Sequence, residues 1–345
     1  MKAIVIEQHG GPEVLRYTDV AEPAISPTEV LVRVRACALN HLDLWVRRGL
    51  PGIPFPLPLI PGSDIAGEIA QAGALVTRVK VGDRVLLSPG VSCGQCAACS
   101  AGNDNMCRKY AALGYGFDGG CAEFVKAPEV NAIPIPGDLS FEEAAAVPMV
   151  FLTAWHMLIT RAALKPGEDV LVLGAGSGVG SAAIQIAKLT GARVITTAGS
   201  QEKLNRARQL GADEVIDHTR QKISVEVKRW TGRRGVDVVI EHVGEATWEQ
   251  SIASLAIGGR LVTCGATTGY NAKVDLRLLF ARQLSLLGTF MGSRAELYTV
   301  LKLIGERKLH PVIDRVMPLA EAAQAHALLE RREHFGKIVL RPAEV

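Results

Sequence analysis

The sequence predicts an α/β protein in two parts, a β-rich part and a doubly wound parallel sheet covered on both faces by helices. Three observations predict it. Near the N-terminus, Val30, Val32 and Val34 alternate with Leu31, Arg33 and Arg35, the period of a half-buried strand. From residue 169 onward, short apolar runs alternate with helical stretches, the rhythm of strands joined by crossover helices. The first of those apolar runs ends in a glycine-rich turn. At roughly 100–200 residues per domain, a chain of 345 residues has room for two.

Taken in order, a second early strand follows the Gly-Asp turn at Val81-Gly82-Asp83. Residues 50–62 (LPGIPFPLPLIPG) are too rich in Pro and Gly for regular structure and read as a loop. The texture changes near Phe141. Ser140 reads as a helix N-cap, with Glu142 and Glu143 in the first turn favoured by the helix dipole. Then come a strand over 169–173, a helix over 179–189, a strand over 193–197, a helix over 204–210 and a strand over 236–240. Gly258 and Gly259 are expected to turn the chain into a strand over 261–263. From about residue 294 the chain returns to helix and strand, ending in the strand pattern Gly336-Lys337-Ile338-Val339-Leu340.

The glycine-rich turn is the sharpest motif. Val170-Leu171-Val172-Leu173 runs into Gly174-Ala175-Gly176-Ser177-Gly178-Val179-Gly180, with a helix following. Glycine lets the backbone bend tightly and approach a pyrophosphate, while the helix N-terminus offers free N–H groups and the positive end of its dipole. The glycines fall at every second position, so the last comes one residue later than in G-x-G-x-x-G. The setting of strand, turn and helix points to a dinucleotide held by Gly176, Ser177, Gly178, Val179 and Gly180; a plain tight turn in a non-nucleotide domain is the alternative. The next strand ends Thr196-Thr197-Ala198-Gly199-Ser200, without the acid that would accept from a ribose 2′-hydroxyl. Ser200, Lys203 and Arg206 suit a 2′-phosphate instead, which favours NADP, with NAD possible; Lys203 and Arg206 also suit a solvated helix face.

Cys93, Cys96, Cys99 and Cys107 form C-x2-C-x2-C-x7-C, spacing that wraps one tetrahedral Zn²⁺ with no open position. An iron–sulfur cluster or two disulfides are the other readings of four such cysteines. A closed site of this kind is structural. Cys37, Cys121 and Cys264 stand singly beside apolar residues and read as small buried hydrophobes.

Bulk properties exclude several classes. The net charge of +3, from 38 basic and 35 acidic residues, gives no reason to expect nucleic acid or an anionic membrane surface as partner. No run of about 18 apolar residues appears, and the start MKAIVIEQHGG lacks a secretory pattern. With the cysteines spaced for metal ligation, a reducing, cytoplasmic setting is expected.

Together, these features resemble the medium-chain dehydrogenase/reductase superfamily, which contains zinc-type alcohol dehydrogenases and quinone oxidoreductases. The resemblance covers essentially the whole chain. Val81-Gly82-Asp83-Arg84-Val85 is similar to the family's turn before the cysteine lobe, and Phe335-Gly336-Lys337-Ile338-Val339 to its last strand. The resemblance implies a GroES-like β-rich catalytic domain over residues 1–140, with a structural zinc lobe at about 91–110. It also implies a Rossmann dinucleotide-binding domain over 141–290, and a return to the catalytic domain over 291–345. A homodimer or homotetramer is implied as well.

The departures from the family pattern carry the most information. Asn40 stands where zinc alcohol dehydrogenases have a catalytic cysteine, and Gly62-Ser63-Asp64 where they have Gly-His-Glu. Met149 falls near their third ligand, and Leu42 at the hydroxyl of their proton relay. Asn, Ser and Met do not make an ordinary Zn²⁺ site. A rearranged site from His41, Asp43 and Asp64 is the alternative. Without a Lewis acid, polarising a simple ketone or deprotonating an alcohol becomes harder, and the resemblance implies the chemistry of metal-free family members, which reduce quinones or C=C bonds conjugated to a carbonyl. The expected activity is therefore NADPH-dependent reduction of an enone or other activated C=C bond, or of a quinone. Asn40 is expected to orient substrate or the nicotinamide ribose and Ser63 to donate to the carbonyl oxygen, with loop-ordering as the alternative for each; His41 is expected to donate a proton, with a purely structural place as its alternative, and Asp43 and Asp64 to order the loops. The resemblance places Thr153, Phe290 and Met291 near the nicotinamide, and His242, Val243 and Gly265 follow strands at whose C-terminal ends cofactor lies. The rival readings are a zinc-type alcohol dehydrogenase acting on an alcohol or aldehyde, and a non-catalytic NADPH-binding protein.

Overall fold

The computed structural model of this chain describes residues 1–343. Contacts divide it into two compact units, residues 1–149 with 293 onward, and residues 150–292. The helix Phe141–Ala145, expected to open the second domain, packs in the first unit on the strands Glu29–Ala38 and Asp64–Ala72. Its N-cap is as the sequence predicts: Ser140 Oγ accepts from the Glu143 N–H, and the Glu143 carboxylate accepts from the Ser140 N–H.

The first unit is built on a seven-stranded sheet. Its strands run in the order Ile313–Pro318, Lys337–Arg341, Glu29–Ala38, Asp64–Ala72, Arg84–Leu87 and Ala132–Pro134, with Phe124–Pro128 also pairing with Glu29–Ala38. The strand Glu29–Ala38 is more covered than its alternation suggests: Leu31 is buried along with Val30, Val32 and Val34, and only Glu29, Arg33 and Arg35 reach the surface. It is a central strand, with partners on both edges. Register then decides what meets at its end. Ala38 lies opposite Asp64 on one side and opposite Val339 on the other, both antiparallel. Asn40, two residues past Ala38, is thereby brought to the start of the Asp64–Ala72 strand and beside Lys337, two residues before Val339.

After that strand, Asn40 caps the helix His41–Arg48 in a capping box with Asp43. The far end of the helix is anchored by Arg47, which is fully buried. Its guanidinium donates to Gly10 O at 3.2 Å and pairs with Glu330, and it stands 3.4 Å from His326 Nδ1. Burial, then the neighbouring Arg47 charge, pull the His326 pKa down to about 3, so this imidazole is neutral.

The second unit is a six-stranded, wholly parallel sheet. Numbered along the chain, the strands Asp169–Val172, Arg193–Ala198, Glu214–Asp217, Val236–Glu241, Leu255–Thr263 and Ser285–Gly288 lie in the order 3-2-1-4-5-6. That is the dinucleotide-binding order, with its switch point between the first and fourth strands. Leu171, Leu173, Ile195, Ile216, Val239 and Leu261 form its core, each side chain contributing about 1.5–3 kcal/mol by leaving water. Gly258 and Gly259 do not precede the fifth strand as a turn. They lie inside it as a bulge, where pairing with the fourth strand jumps from Val236–Leu255 to Val238–Arg260. Gly258 has φ +74°, a conformation glycine adopts without strain. The helix expected over 204–210 is Gln201–Gln209, because Ser200 caps it by accepting from the Lys203 N–H. No helix among the described residues is long and apolar enough to cross a membrane.

Candidate functional site

In the first unit, two clusters of polar side chains stand out. One is the cysteine lobe. The Sγ atoms of Cys93, Cys96, Cys99 and Cys107 all lie within 4.8 Å of one another, with Cys96 to Cys99 at 3.5 Å and Cys93 to Cys99 at 4.0 Å. Tetrahedral zinc with bonds of about 2.3 Å needs sulfurs about 3.8 Å apart, so the four fit one ion. All four are free thiols, drawn in too closely around one point to enclose a cluster. The N–H groups of Cys93 and Lys109 donate to Cys107 Sγ, and those of Gln95 and Cys96 hold the Cys93 thiol down to about 6, toward the thiolate a metal binds. Among the described residues this is the single group of His, Cys, Asp or Glu side chains placed to hold a metal.

The other cluster occupies the strand ends around Asp64. Lys337, 3% exposed, directs its ammonium to Asn40 Oδ1 at 2.6 Å and to Asp64 Oδ2 at 2.8 Å. Asn40 Nδ2 donates to the same Asp64 oxygen at 3.0 Å and to Ala38 O at 3.4 Å, while Asp64 Oδ1 accepts from the Met149 N–H at 2.8 Å. Asp43, fully buried, accepts from the N–H groups of Asn40 at 2.7 Å and Gly62 at 3.0 Å. Burial pushes its carboxyl up to about 6, against the pull of the Asn40 N–H, the Lys337 ammonium and the Gly62 N–H. Taking these charges out of water is costly, and only the matched partners offset it. Both Asp43 and Asp64 are thus committed to holding loops, and the rearranged metal set of His41, Asp43 and Asp64 is not assembled.

Ser63 lies between two fixed residues, fully buried, and its hydroxyl has no hydrogen-bond partner. Gly62 before it has φ +100°, and a Cβ there would stand 2.5 Å from Cys37 Sγ and 2.8 Å from Cys121 Sγ, so only glycine fits. Cys37 and Cys121 are buried as expected, 3.8 Å apart; Cys264 is only half-buried. His41 is half-buried, its ring edge-on to Trp45.

In the second unit, the glycine-rich turn and the segment after the fourth strand meet at the switch point. Ser177 caps the helix Gly178–Leu189 by accepting from the Gly180 N–H at 2.8 Å, and the remaining first-turn N–H groups are those a helix leaves for an anion. A Cβ on Gly180 would stand 2.2 Å from Gly174 O, so glycine is required there too. His242 closes the turn: its Nε2 lies 2.8 Å from Leu173 O and 3.2 Å from Ser177 Oγ. Gly265 lies against His242, and Val243 donates its N–H to Glu241. These residues fit a bound pyrophosphate. Ser200 and Lys203 open the helix after the second strand, which ends at Ala198 with no acid. Thr153 is buried in the helix Pro148–Trp155; Phe290 is half exposed, and Met291 is buried with φ +49°.

Two residues that shape these clusters, Lys337 and Glu241, carry little signal in the sequence. Lys337 carried no signal beyond its place in the last strand, since it reaches Asp64 across 273 residues of chain. Glu241, fully buried, accepts from the N–H groups of Val243 and Gly244 and from the Thr247 hydroxyl, shaping the turn that carries His242. An acid ending an apolar strand was the available sign.

The profile of the alcohol dehydrogenase GroES-like domain matches residues 26–137, and that of the zinc-binding dehydrogenase domain matches residues 178–306. An alcohol dehydrogenase of Geobacillus stearothermophilus is 34% identical over 99% of both chains. A human quinone oxidoreductase is 31% identical over 99% of this chain and 97% of its own. A solved structure described as an NAD-dependent alcohol dehydrogenase is 49% identical, with a TM-score of 0.95 over 99% of both chains. The chain belongs to the medium-chain dehydrogenase/reductase superfamily. It is an NAD(P)-dependent oxidoreductase with a GroES-like domain and a Rossmann domain.

Proposed function

We propose that this oxidoreductase reduces an activated C=C bond or a quinone with NADPH, and does so without a catalytic metal. The observation that carries the reading is the set of side chains at the family's ligand positions. Asn40 and Ser63 stand there, and the neighbouring carboxylates of Asp43 and Asp64 are filled by backbone N–H groups, an amide and an ammonium. Bound NADPH would supply the hydride. The protein's task is then to stabilise the enolate or phenolate oxygen that develops and to return a proton. The Ser63 hydroxyl, without an internal partner, is the candidate donor to that oxygen. His41 is the candidate to return the proton. Asn40 has both amide N–H bonds spent inside the cluster, which leaves it an orienting rather than a donating role.

The absence of an acid at the end of the second strand, with Ser200 and Lys203 following, supports NADP over NAD. The cysteine lobe would hold one structural zinc through Cys93, Cys96, Cys99 and Cys107. The partner is a small carbonyl, enone or quinone molecule, and a homodimer fits the exposed edge strand Ser285–Gly288, flanked by exposed Ile257, Leu276 and Phe280. An alcohol dehydrogenase acting on an alcohol or aldehyde is the second reading, favoured by the description of the 49% identical structure. An assay with NADPH and with NADH against an enone, a quinone and an aldehyde separates them. Faster turnover of the enone or quinone with NADPH is expected. Aldehyde turnover that stops on removal of a second metal ion would establish the alcohol dehydrogenase instead.

A further inference from the structure

We propose that Lys337 is a positioning residue for the reaction: its ammonium locks the Asn40 amide in one orientation and balances Asp64, and so holds Ser63 in place. The inference rests, for its catalytic consequence, on the reductase reading above. The clamp itself follows from the donor and acceptor chemistry of three side chains. An ammonium only donates and an ionised carboxylate only accepts. Asn40 lies between the two, so its oxygen must face Lys337 and its nitrogen must face Asp64, as found at 2.6 and 3.0 Å. The amide has no alternative flip that keeps both bonds. The two remaining anchors fix the backbone on either side of Ser63. Gly62 is held by its N–H to Asp43, and Asp64 by Lys337, Asn40 and the Met149 N–H. Ser63 is therefore the unpartnered residue in the middle of a clamped tripeptide. Its hydroxyl is placed by neighbours that it does not itself bond.

Charge balance gives the clamp its test. Asp43 and Asp64 are the acids of the cluster and Lys337 its cation, and the buried Cys37 thiol, beside Cys121, feels the charge of both acids. Replacing Lys337 with methionine leaves the Asp64 carboxylate buried with no cation and frees the Asn40 oxygen. Replacing Asp64 as well, in D64N/K337M, removes the stranded charge but does not restore the lock on Asn40.

The experiment compares K337M, K337R and D64N/K337M with the wild type. It measures kcat, KM and melting temperature, and hydrogen exchange of the Asn40 side-chain amide by NMR in the full chain. K337M is expected to lose roughly tenfold to a hundredfold in kcat, as small misplacements at a reacting centre do, with KM changed by less than about twofold. K337R, which keeps a cation, is expected to recover part of the kcat. D64N/K337M is expected to regain most of the melting temperature while kcat stays low, a split that a merely structural role would not produce. The Asn40 amide is expected to exchange slowly in the wild type and fast in K337M. Equal amide exchange in the two proteins, or recovery of kcat together with melting temperature in the double variant, would overturn the proposal. Amide exchange is read without substrate, so it decides the clamp independently. A wild type that turns over neither enone nor quinone would sink the reductase reading instead.

Discussion

The cysteine lobe and the strand ends around Asp64 solve the same problem by different chemistry. Each fixes the backbone with a few side chains, the lobe within residues 93–107 and the strand ends across 273 residues of chain. In the lobe, four sulfurs within 4.8 Å of one another present a ready cage for one soft ion. At the strand ends, the cation is part of the chain: the Lys337 ammonium binds Asp64 and Asn40, and Asp43 gathers two backbone N–H groups. Three of the four cysteines are half-buried, whereas Asp43, Asp64 and Lys337 are almost wholly out of water. A metal cage tolerates partial exposure because its bonds are short and strong. A hydrogen-bonded ion pair must be complete, since any member removed strands a buried charge.

That contrast can be broken at several points. The largest effect is expected in the lobe. Substituting Cys96 by serine should abolish bound zinc and unfold the lobe, because structural zinc is worth roughly 10–16 kcal/mol of apparent binding energy in small domains. Metal content and hydrogen exchange of residues 93–107 check this. Next, Lys337→Met should destabilise the first unit by about 3–5 kcal/mol, the cost of breaking a buried pair, read as a lower urea midpoint with an unchanged slope.

The opposite end of helix His41–Arg48 sharpens the comparison, because there the buried ring of His326 is neutral. Its pKa falls from about 6.5 unfolded to about 3 folded. The unfolded chain therefore binds the extra proton as pH falls, so stability is full above about pH 6.5 and is lost on acidification toward pH 3. Between pH 6.5 and 5 this amounts to about 2 kcal/mol. His326→Asn should flatten that slope in chemical denaturation at the two pH values. An identical slope in the variant would remove His326 from the account. The smallest stability effect is expected at Ser63. Losing an unsatisfied buried hydroxyl should change stability by no more than about 1 kcal/mol in either direction. Ser63→Ala should nevertheless cut kcat roughly a hundredfold, the usual cost of one oxyanion donor.

What the sequence disclosed follows the same division. Local chemistry was legible. The cysteine spacing, the glycine-rich turn and the Ser140 cap each involve residues a few positions apart, and each takes the expected form. The parallel sheet was legible because its strands alternate with helices in periodic stretches. Assignments that depend on distant packing were not. The glycines at 258 and 259 look like a turn in any local window, and only pairing with Val236 and Val238 makes them a bulge. Helix Phe141–Ala145 carries the cap of a new element but docks on strands of the first unit. Lys337 meets Asn40 because Ala38 happens to face both Asp64 and Val339, a matter of register that no spacing reveals.

At the strand ends an ammonium and hydrogen bonds join Asn40, Asp64, Asp43 and the Gly62 backbone, and the proposed function places no metal ion there. Zinc content of the purified full chain, with anomalous scattering from its crystals, tests it directly. One zinc ion per chain is expected, bound by Cys93, Cys96, Cys99 and Cys107. Two ions per chain, the second beside Asn40 and Ser63, would contradict that expectation.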